Sequence, residues 1–224
     1  MPPAPALSAP GTPPPEAGPE REESAATTAK RRQILEGARR AFFAAGFEAA
    51  SMGDIARAAG VSKGTLYVYF DSKEALFAAL VEETKRQSAE QRAPLRTDGP
   101  DVAATLTAFA ADLILRMTRP DHLRMVRMVF GVAERFPGPA RSLYEAGPRH
   151  GAGLLAAYLA DLAAAGRIGV ADPDRAAWLF LAMVVHPAMT RVGLGGEPAP
   201  DHAEAEALAA EAVAVFLAAH PLRG

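Results

Sequence analysis

An all-α fold is predicted by three features of the 224-residue sequence. Helix formers dominate, with half of the residues hydrophobic and alanine recurring throughout. Alternating runs of β-branched residues, which mark half-buried strands, are absent. Clusters of proline and glycine cut the chain into stretches of helical length. A chain this long can bury a substantial core in one or two domains.

The first 27 residues hold eight prolines and little apolar content, which predicts a disordered tail with some polyproline II character. The opening MPPAPALSAPGTPPPEAGPE has neither the basic start nor the apolar centre of a signal peptide. A first helix is expected over about residues 29–45. Ile34, Leu35, Ala38, Phe42 and Phe43 form its buried stripe, and Gly46 ends it.

Residues 51–73, SMGDIARAAGVSKGTLYVYFDSK, are the most informative stretch. Ser51 and Asp54 have the spacing of a capping box, in which each side chain satisfies a free backbone N–H of the other. The helix they open runs through Ile55, Ala56 and Ala59 to Gly60, whose freedom at positive φ suits a helix-ending turn. Val61 can fill the angle that follows, and Ser62 can cap a second short helix. In that helix Leu66 and Phe70, four residues apart, face inward, while Lys63, Gly64, Thr65, Tyr67 and Tyr69 face out. A cation, hydroxyls and a bare glycine on one surface fit a helix that enters a DNA groove better than a catalytic pocket. Asp71 and Ser72 then cap a helix over 72–90, which packs back through Leu76, Phe77, Leu80 and Val81. Together these pieces make a compact unit over residues 28–92, closed by Pro94, Gly99 and Pro100.

The remainder, 93–224, is predicted as a larger helical body with segments near 101–117, 121–136, 138–147, 149–165, 173–190 and 201–219. The breaks are Arg119-Pro120, Pro137-Gly138-Pro139, Gly147-Pro148, the stretch from Gly166 to Pro173, and the loop Gly193-Leu194-Gly195-Gly196. The last two segments are apolar over wide faces: Ala177, Phe180, Leu181 and Val184 in one, Leu208, Val213, Phe216 and Leu217 in the other. That width suits burial on two sides, against a core and against a second subunit. His186 precedes Pro187, which should kink its helix. Met117, Met125, Met128, Val129, Phe130, Tyr144, Trp178, Met183 and His186 are candidate walls of a small-molecule pocket, because methionine tolerates varied shapes. The same residues at helical spacing equally suit an ordinary core.

The net charge of −2 conceals an asymmetry. Residues 28–88 carry ten Lys and Arg against seven Asp and Glu, so a basic head sits on an acidic body. Such a protein would present one end to a polyanion. Other classes lack support. The chain has no cysteine, which removes disulfides and thiolate metal sites and fits a reducing interior. The five histidines show no metal spacing with a carboxylate, and Gly151 and Gly153 follow no strand that could make a phosphate loop. No apolar run approaches the ~18–20 residues of a membrane span. No enzyme, metal, cofactor or membrane is therefore expected, and the expected address is the cytoplasm.

The stretch from Ala29 to Gln87 resembles, without a gap, the DNA-binding domain of the TetR/AcrR family of transcriptional regulators. The resemblance is carried by Ile34, Ala38, Phe42, Gly46, Phe47, Ser51, Ile55, Ala56, Ala59, Gly60 and Val61. It continues through Ser62, Gly64, Leu66, Tyr67, Tyr69, Phe70, Ser72, Lys73 and Leu76. Gly53 departs from it, standing where a helix former is usual, at a cost of ~1 kcal/mol. The C-terminal half is similar to an AefR-like subgroup through Leu123-Arg124 with Val126, Glu134-Arg135-Phe136-Pro137, Leu143-Tyr144, Gly166-Arg167-Ile168 and Asp172-Pro173 with Ala176-Ala177.

The resemblance implies a homodimer on a double-stranded DNA operator, with the recognition helices of the two subunits in major grooves ~34–36 Å apart or a multiple of that. It implies Lys63, Thr65 and Tyr67 toward base edges, Gly64 at a close backbone approach, and Tyr69 and Lys73 on phosphates. Ser51 would cap a helix whose N-terminus can also meet a phosphate. The body would bind a small apolar effector, and helices near 173–190 and 201–219 would form the dimer interface. Effector binding would favour a head spacing that misfits the operator, coupled through helix 72–90. The resulting reading is a ligand-responsive repressor. A DNA-binding regulator without small-molecule sensing and a protein-interaction module stay open beside it.

Overall fold

The computed structural model describes residues 19–90, Leu95, Thr97, Gly99 and residues 101–223. Among these the chain is all-α, with ten α-helices, one π-helical turn and a single antiparallel bridge between Ile168 and Leu222. The head comprises α1 (Pro19–Ala49), α2 (Met52–Ala59), α3 (Lys63–Tyr69) and α4 (Lys73–Glu90). The body comprises α5 (Val102–Met117), α6 (Pro120–Val132), α7 (Pro137–Tyr144), the π turn (Glu145–Arg149), α8 (His150–Ala164), α9 (Pro173–Gly193) and α10 (His202–Ala219).

The tail expected over 1–27 lies outside the described residues as far as residue 18. From Pro19 the chain is helical, well before the expected start at 29. Pro19 at the first helical position suits the φ of a helix start and loses no needed N–H. Near its other end α1 is broken at Gly46, where φ 81° and ψ 165° are open in practice only to glycine. That break turns Phe47 into the head core.

The head core is a knot of rings. Phe42, Phe47 and Phe77 are buried, with centroids 5.0–5.5 Å apart, and Ile34, Ile55, Leu66 and Leu76 surround them. At Gly37 a Cβ would come within 2.4 Å of Ala59, so glycine is what lets α1 and α2 cross this closely. The Gln33 amide donates to the Ala59 carbonyl at 2.7 Å, and Arg40 donates to the Ala58 carbonyl. The end of α2 is thus held on α1.

The second core joins α5, α8, α9 and α10 through Leu106, Ile114, Leu155, Leu159, Phe180 and Phe216, with the last two rings meeting edge-on at 5.0 Å. Helices α6 and α7 do not share it. Met125, Val129 and Val132 of α6 are buried in the head cluster, with Phe136 packed on it at 5.2 Å from Phe47. Two ion pairs cross the same seam, Arg39 to Asp121 at 2.8 Å and Arg135 to Glu48 at 3.1 Å. Head and body therefore meet through α4, α6 and α7 rather than through the 72–90 helix alone.

One expected break is absent, and the helix that contains Pro187 runs past it as expected. At Gly147-Pro148 the helix widens into the π turn and continues into α8. At Pro187 α9 runs on to Gly193, and the Thr190 hydroxyl donates to the His186 carbonyl at 2.7 Å. Helix α9 is also long and apolar enough, by length and composition, to cross a membrane. This corrects the expectation that no apolar run is of that length; Asp174, Arg175 and Arg191 near its ends break the run in the sequence. Its inner residues Ala177, Phe180, Leu181 and Val184 belong to the body core. Arg167 donates to the carbonyls of Thr97 at 2.6 Å and Gly99 at 2.7 Å, tying the connection between head and body to the far end of α8.

Candidate nucleic-acid interface

Helix α2 is fixed first, by its cap. Ser51 Oγ accepts from the Asp54 N–H at 3.1 Å, and Asp54 Oδ2 accepts from the Ser51 N–H at 3.2 Å and from the Ser51 hydroxyl at 2.5 Å. The Ser51 hydroxyl, then its backbone N–H, then Arg57 at 2.8 Å hold the Asp54 carboxyl below the usual carboxylate range. Gly60 at φ 67° closes the helix, with its N–H turned back onto the Ala56 and Arg57 carbonyls. Both ends of α2 are thus satisfied, as the capping-box spacing predicted.

Helix α3 starts at a second cap, Ser62, which accepts from the Thr65 N–H at 3.0 Å. Leu66 is fully buried, and Phe70, which ends the helix, is buried beside it. The outward residues are Lys63, Gly64, Tyr67 (50 % exposed) and Val68 (81 % exposed). Positions 63, 64, 67 and 68 lie on one side of a helix, so these four form a single surface. A Cβ at Gly64 would meet nothing closer than 3.8 Å, so nothing within the head demands a glycine there.

Three expected residues are placed differently. Thr65 is half-buried, with its hydroxyl 2.8 Å from Ser62 Oγ, and so belongs to the cap. Tyr69 is half-buried against the head core. Lys73 donates to the Glu48 carbonyl at 2.9 Å and lies 4.7 Å over the Phe47 ring, which fastens the α1–α2 corner. An ammonium has three donors, so two remain for other partners. Ser51 and Lys63 are exposed. Val68 was not singled out from the sequence, because an apolar residue beside Leu66 reads as core. The signal available was its period, which places it out of phase with Leu66 and Phe70.

Gly53 also finds a reason. A Cβ there would stand 3.0 Å from the Lys63 Cε, so the bare backbone gives the lysine stem room to lie across α2. It occupies the second position of α2, where a glycine interrupts no established helix.

The pocket candidates are not brought together. Met125, Met128 and Val129 serve the head cluster, Met183 packs on the body core, and Met117 is half-buried. Phe130 and His186 are exposed, and Tyr144 and Trp178 form a pair at the surface. Two clefts open elsewhere. One of about 440 Å³ lies between α1 and α6 and is lined by Arg39, Arg40, Phe43, Ala44, Asp121 and Arg124. The other, of about 300 Å³, lies between the end of α9 and the start of α10, around Arg191, Glu197, Pro200 and Leu208. On α6, burial first and then the Arg116 guanidinium push the half-buried His122 down to about 4.

Two stretches of the chain match known families. Residues 34–80 match the family described as bacterial regulatory proteins, tetR family, and residues 104–220 match the AefR-like transcriptional repressor C-terminal domain. The HTH-type transcriptional repressor Rv1474c of Mycobacterium tuberculosis is 45 % identical over 62 residues, or 27 % of this chain, and the match spans about a third (33 %) of that repressor's length. Among solved structures, a TetR-family transcriptional regulator from Mesorhizobium loti aligns over 87 % of this chain and 98 % of its own, with a TM-score of 0.80 and 29 % identity. The flavonoid-responsive regulator FrrA aligns over 86 % of this chain and 97 % of its own, with a TM-score of 0.75 and 33 % identity.

Proposed function

The chain belongs to the TetR family of bacterial transcriptional regulators, with an AefR-like C-terminal domain, and on that footing we propose that it is a homodimeric repressor released from its operator by a small molecule. The observation that carries the DNA reading is the surface made by Lys63, Gly64, Tyr67 and Val68 on a helix capped at its start and anchored by Leu66. Such a helix enters a major groove as a rigid body. Lys63 and Tyr67 offer hydrogen bonds to base edges, the Val68 side chain suits a thymine methyl group, and Gly64 leaves room for the backbone. Ser51 and the free donors of Lys73 frame this surface and position it on phosphates, while Thr65 and Tyr69 hold α3 from behind.

Dimerisation is supported by the two outer faces of α9 and α10. Leu179 and Val215 are exposed there, while Phe180, Val213 and Phe216 fill the inner faces. The structural neighbour that is flavonoid-responsive supports a body that senses a small, largely apolar compound. A second reading, a DNA-binding regulator without such sensing, is favoured by the dense packing of Met125 and Val129, which leaves the expected pocket walls without a shared cavity.

The test is fluorescence anisotropy with the protein's own upstream DNA across a salt series. Lys63→Ala should weaken binding and lower the salt slope by about one, and Val68→Ala should lose on the order of 1 kcal/mol at one base position with the slope unchanged. Binding unaltered by both substitutions would remove α3 as the reading helix. Release of the DNA by a fraction of cell-extract small molecules separates the sensing repressor from the non-sensing regulator.

A further inference from the structure

Four cations lie over aromatic rings among the described residues, and three of them are also tied elsewhere. Arg39 over Phe43 is paired with Glu36 and Asp121, Lys73 over Phe47 donates to the Glu48 carbonyl, and Arg135 over Phe136 is paired with the Glu48 carboxylate. Arg31 differs. Its guanidinium stands 5.4 Å from the centre of the Phe70 ring, and among the described residues it donates no hydrogen bond and joins no ion pair. Asp71, the carboxylate next to Phe70 in sequence, is exposed and is not paired with it. All five N–H donors of this exposed arginine stay free.

Two helices set the place of this cation. On α1, position 31 is in phase with Leu35, Ala38 and Phe42, the buried stripe, so Arg31 leans over the head rather than away from it. Phe70, on which it rests, ends α3. Lys63 opens the same helix about 10 Å away, at a rise of about 1.5 Å per residue, and its stem passes Gly53 near the start of α2. Each end of α3 thus carries a cation, and Tyr67 and Val68 lie between them. A helix seated in a major groove about 12 Å wide has a phosphate backbone on either side. Contacts at one end alone leave such a helix free to tilt, whereas contacts at both ends fix its orientation. Stacking on Phe70 also holds the arginine in place before DNA arrives, so less side-chain freedom is lost when a phosphate is bound.

We propose that Arg31 is a phosphate anchor of the DNA interface, a bidentate fork for one backbone phosphate at the end of α3 away from Lys63. It adds a contact from α1 to a surface otherwise made by α2, α3 and α4. The anchor rests on the DNA reading above, and the two are measured so that they can fail separately.

The measurement is fluorescence anisotropy of the full chain with its own upstream duplex and with a scrambled duplex of equal length, each across a salt series. Arg31→Gln keeps the stem and removes the charge. For each head bound it should weaken both duplexes about five- to ten-fold at ~0.1 M salt and lower the slope of log K against log salt by about 0.9. The preference for the upstream duplex should not change, because a phosphate carries no sequence. Arg31→Lys, which keeps the charge but not the fork, should restore the slope and only part of the affinity. A slope in Arg31→Gln equal to the parent's overturns the anchor even if affinity falls, because the arginine would then only fasten α3 through Phe70. So does Arg31→Lys losing as much slope as Arg31→Gln. A slope that falls in Lys63→Ala and not in Arg31→Gln removes the anchor and leaves α3 reading DNA. A parent chain that holds neither duplex removes both.

Discussion

The head and the body are built by the same helix rules, yet they hold their working residues differently. In the head every group on the candidate surface belongs to one short helix, α3, and the bonds that aim it come from the neighbouring turns: Ser62 to Thr65, Ser51 to Asp54, Gln33 to Ala59. In the body the candidate residues come from α5, α6, α7 and α9, and their neighbours are set by which helix packs on which. Met125 looked like a body residue and is part of the head core. A surface carried by one helix is specified locally, whereas a pocket shared by four is specified only by the packing.

This contrast is breakable. The largest effect is expected at Gly37. In Gly37→Val the new Cβ meets Ala59, and overpacking of that kind should cost about 3 kcal/mol in denaturant unfolding and abolish DNA retention. If the regions are distinct, the emission of Trp178 should keep its native transition; a Trp178 transition shifted equally would make head and body one cooperative unit.

A body effect of similar size is expected at His122. Its folded pKa of about 4 lies below the ordinary 6.5, so on acidification the unfolded chain takes the proton first. Stability should fall as pH drops from about 6.5 toward 4, by on the order of 2–3 kcal/mol, and His122→Gln should flatten that part of the profile. A variant with the parent's acid sensitivity would place the liability elsewhere.

Lys73→Ala comes next. Losing the bond to Glu48 and the contact with Phe47 should cost about 1–2 kcal/mol of stability even without DNA. Lys63→Ala, which removes an exposed cation, should leave thermal unfolding unchanged. Equal effects of the two on unfolding would erase the difference between fastening and reading that their positions imply. The smallest effect is expected across the seam. The Arg39–Asp121 pair is partly exposed, and a double-mutant cycle should return about 0.5 kcal/mol of coupling.

Much of the head was legible in the sequence. The caps at Ser51, Gly60 and Ser62 and the buried pair Leu66 and Phe70 are all local patterns, and each has its expected partner. Three things were not legible. The helical start at Pro19 was masked by the proline content around it. The inward turn of Lys73 and Thr65 depends on the Glu48 carbonyl and on a hydroxyl that the cap claims first. In the body the helices themselves were legible, but Gly147-Pro148 read as a stop because a proline announces a lost N–H, not the geometry that absorbs it. The candidate pocket was least legible, since a buried methionine at helical spacing carries no mark of which core it joins.

Phe47 has a consequence for how such a protein can diverge. Its ring meets Phe42 and Phe77 of the head, Phe136 of the body and the ammonium of Lys73. A change at any of these five positions is judged by the other four at once, so the seam can drift only by coordinated steps. The far side of the body, where α8, α9 and α10 touch no part of that cluster, is free to explore. That side can therefore change while the head is inherited unchanged.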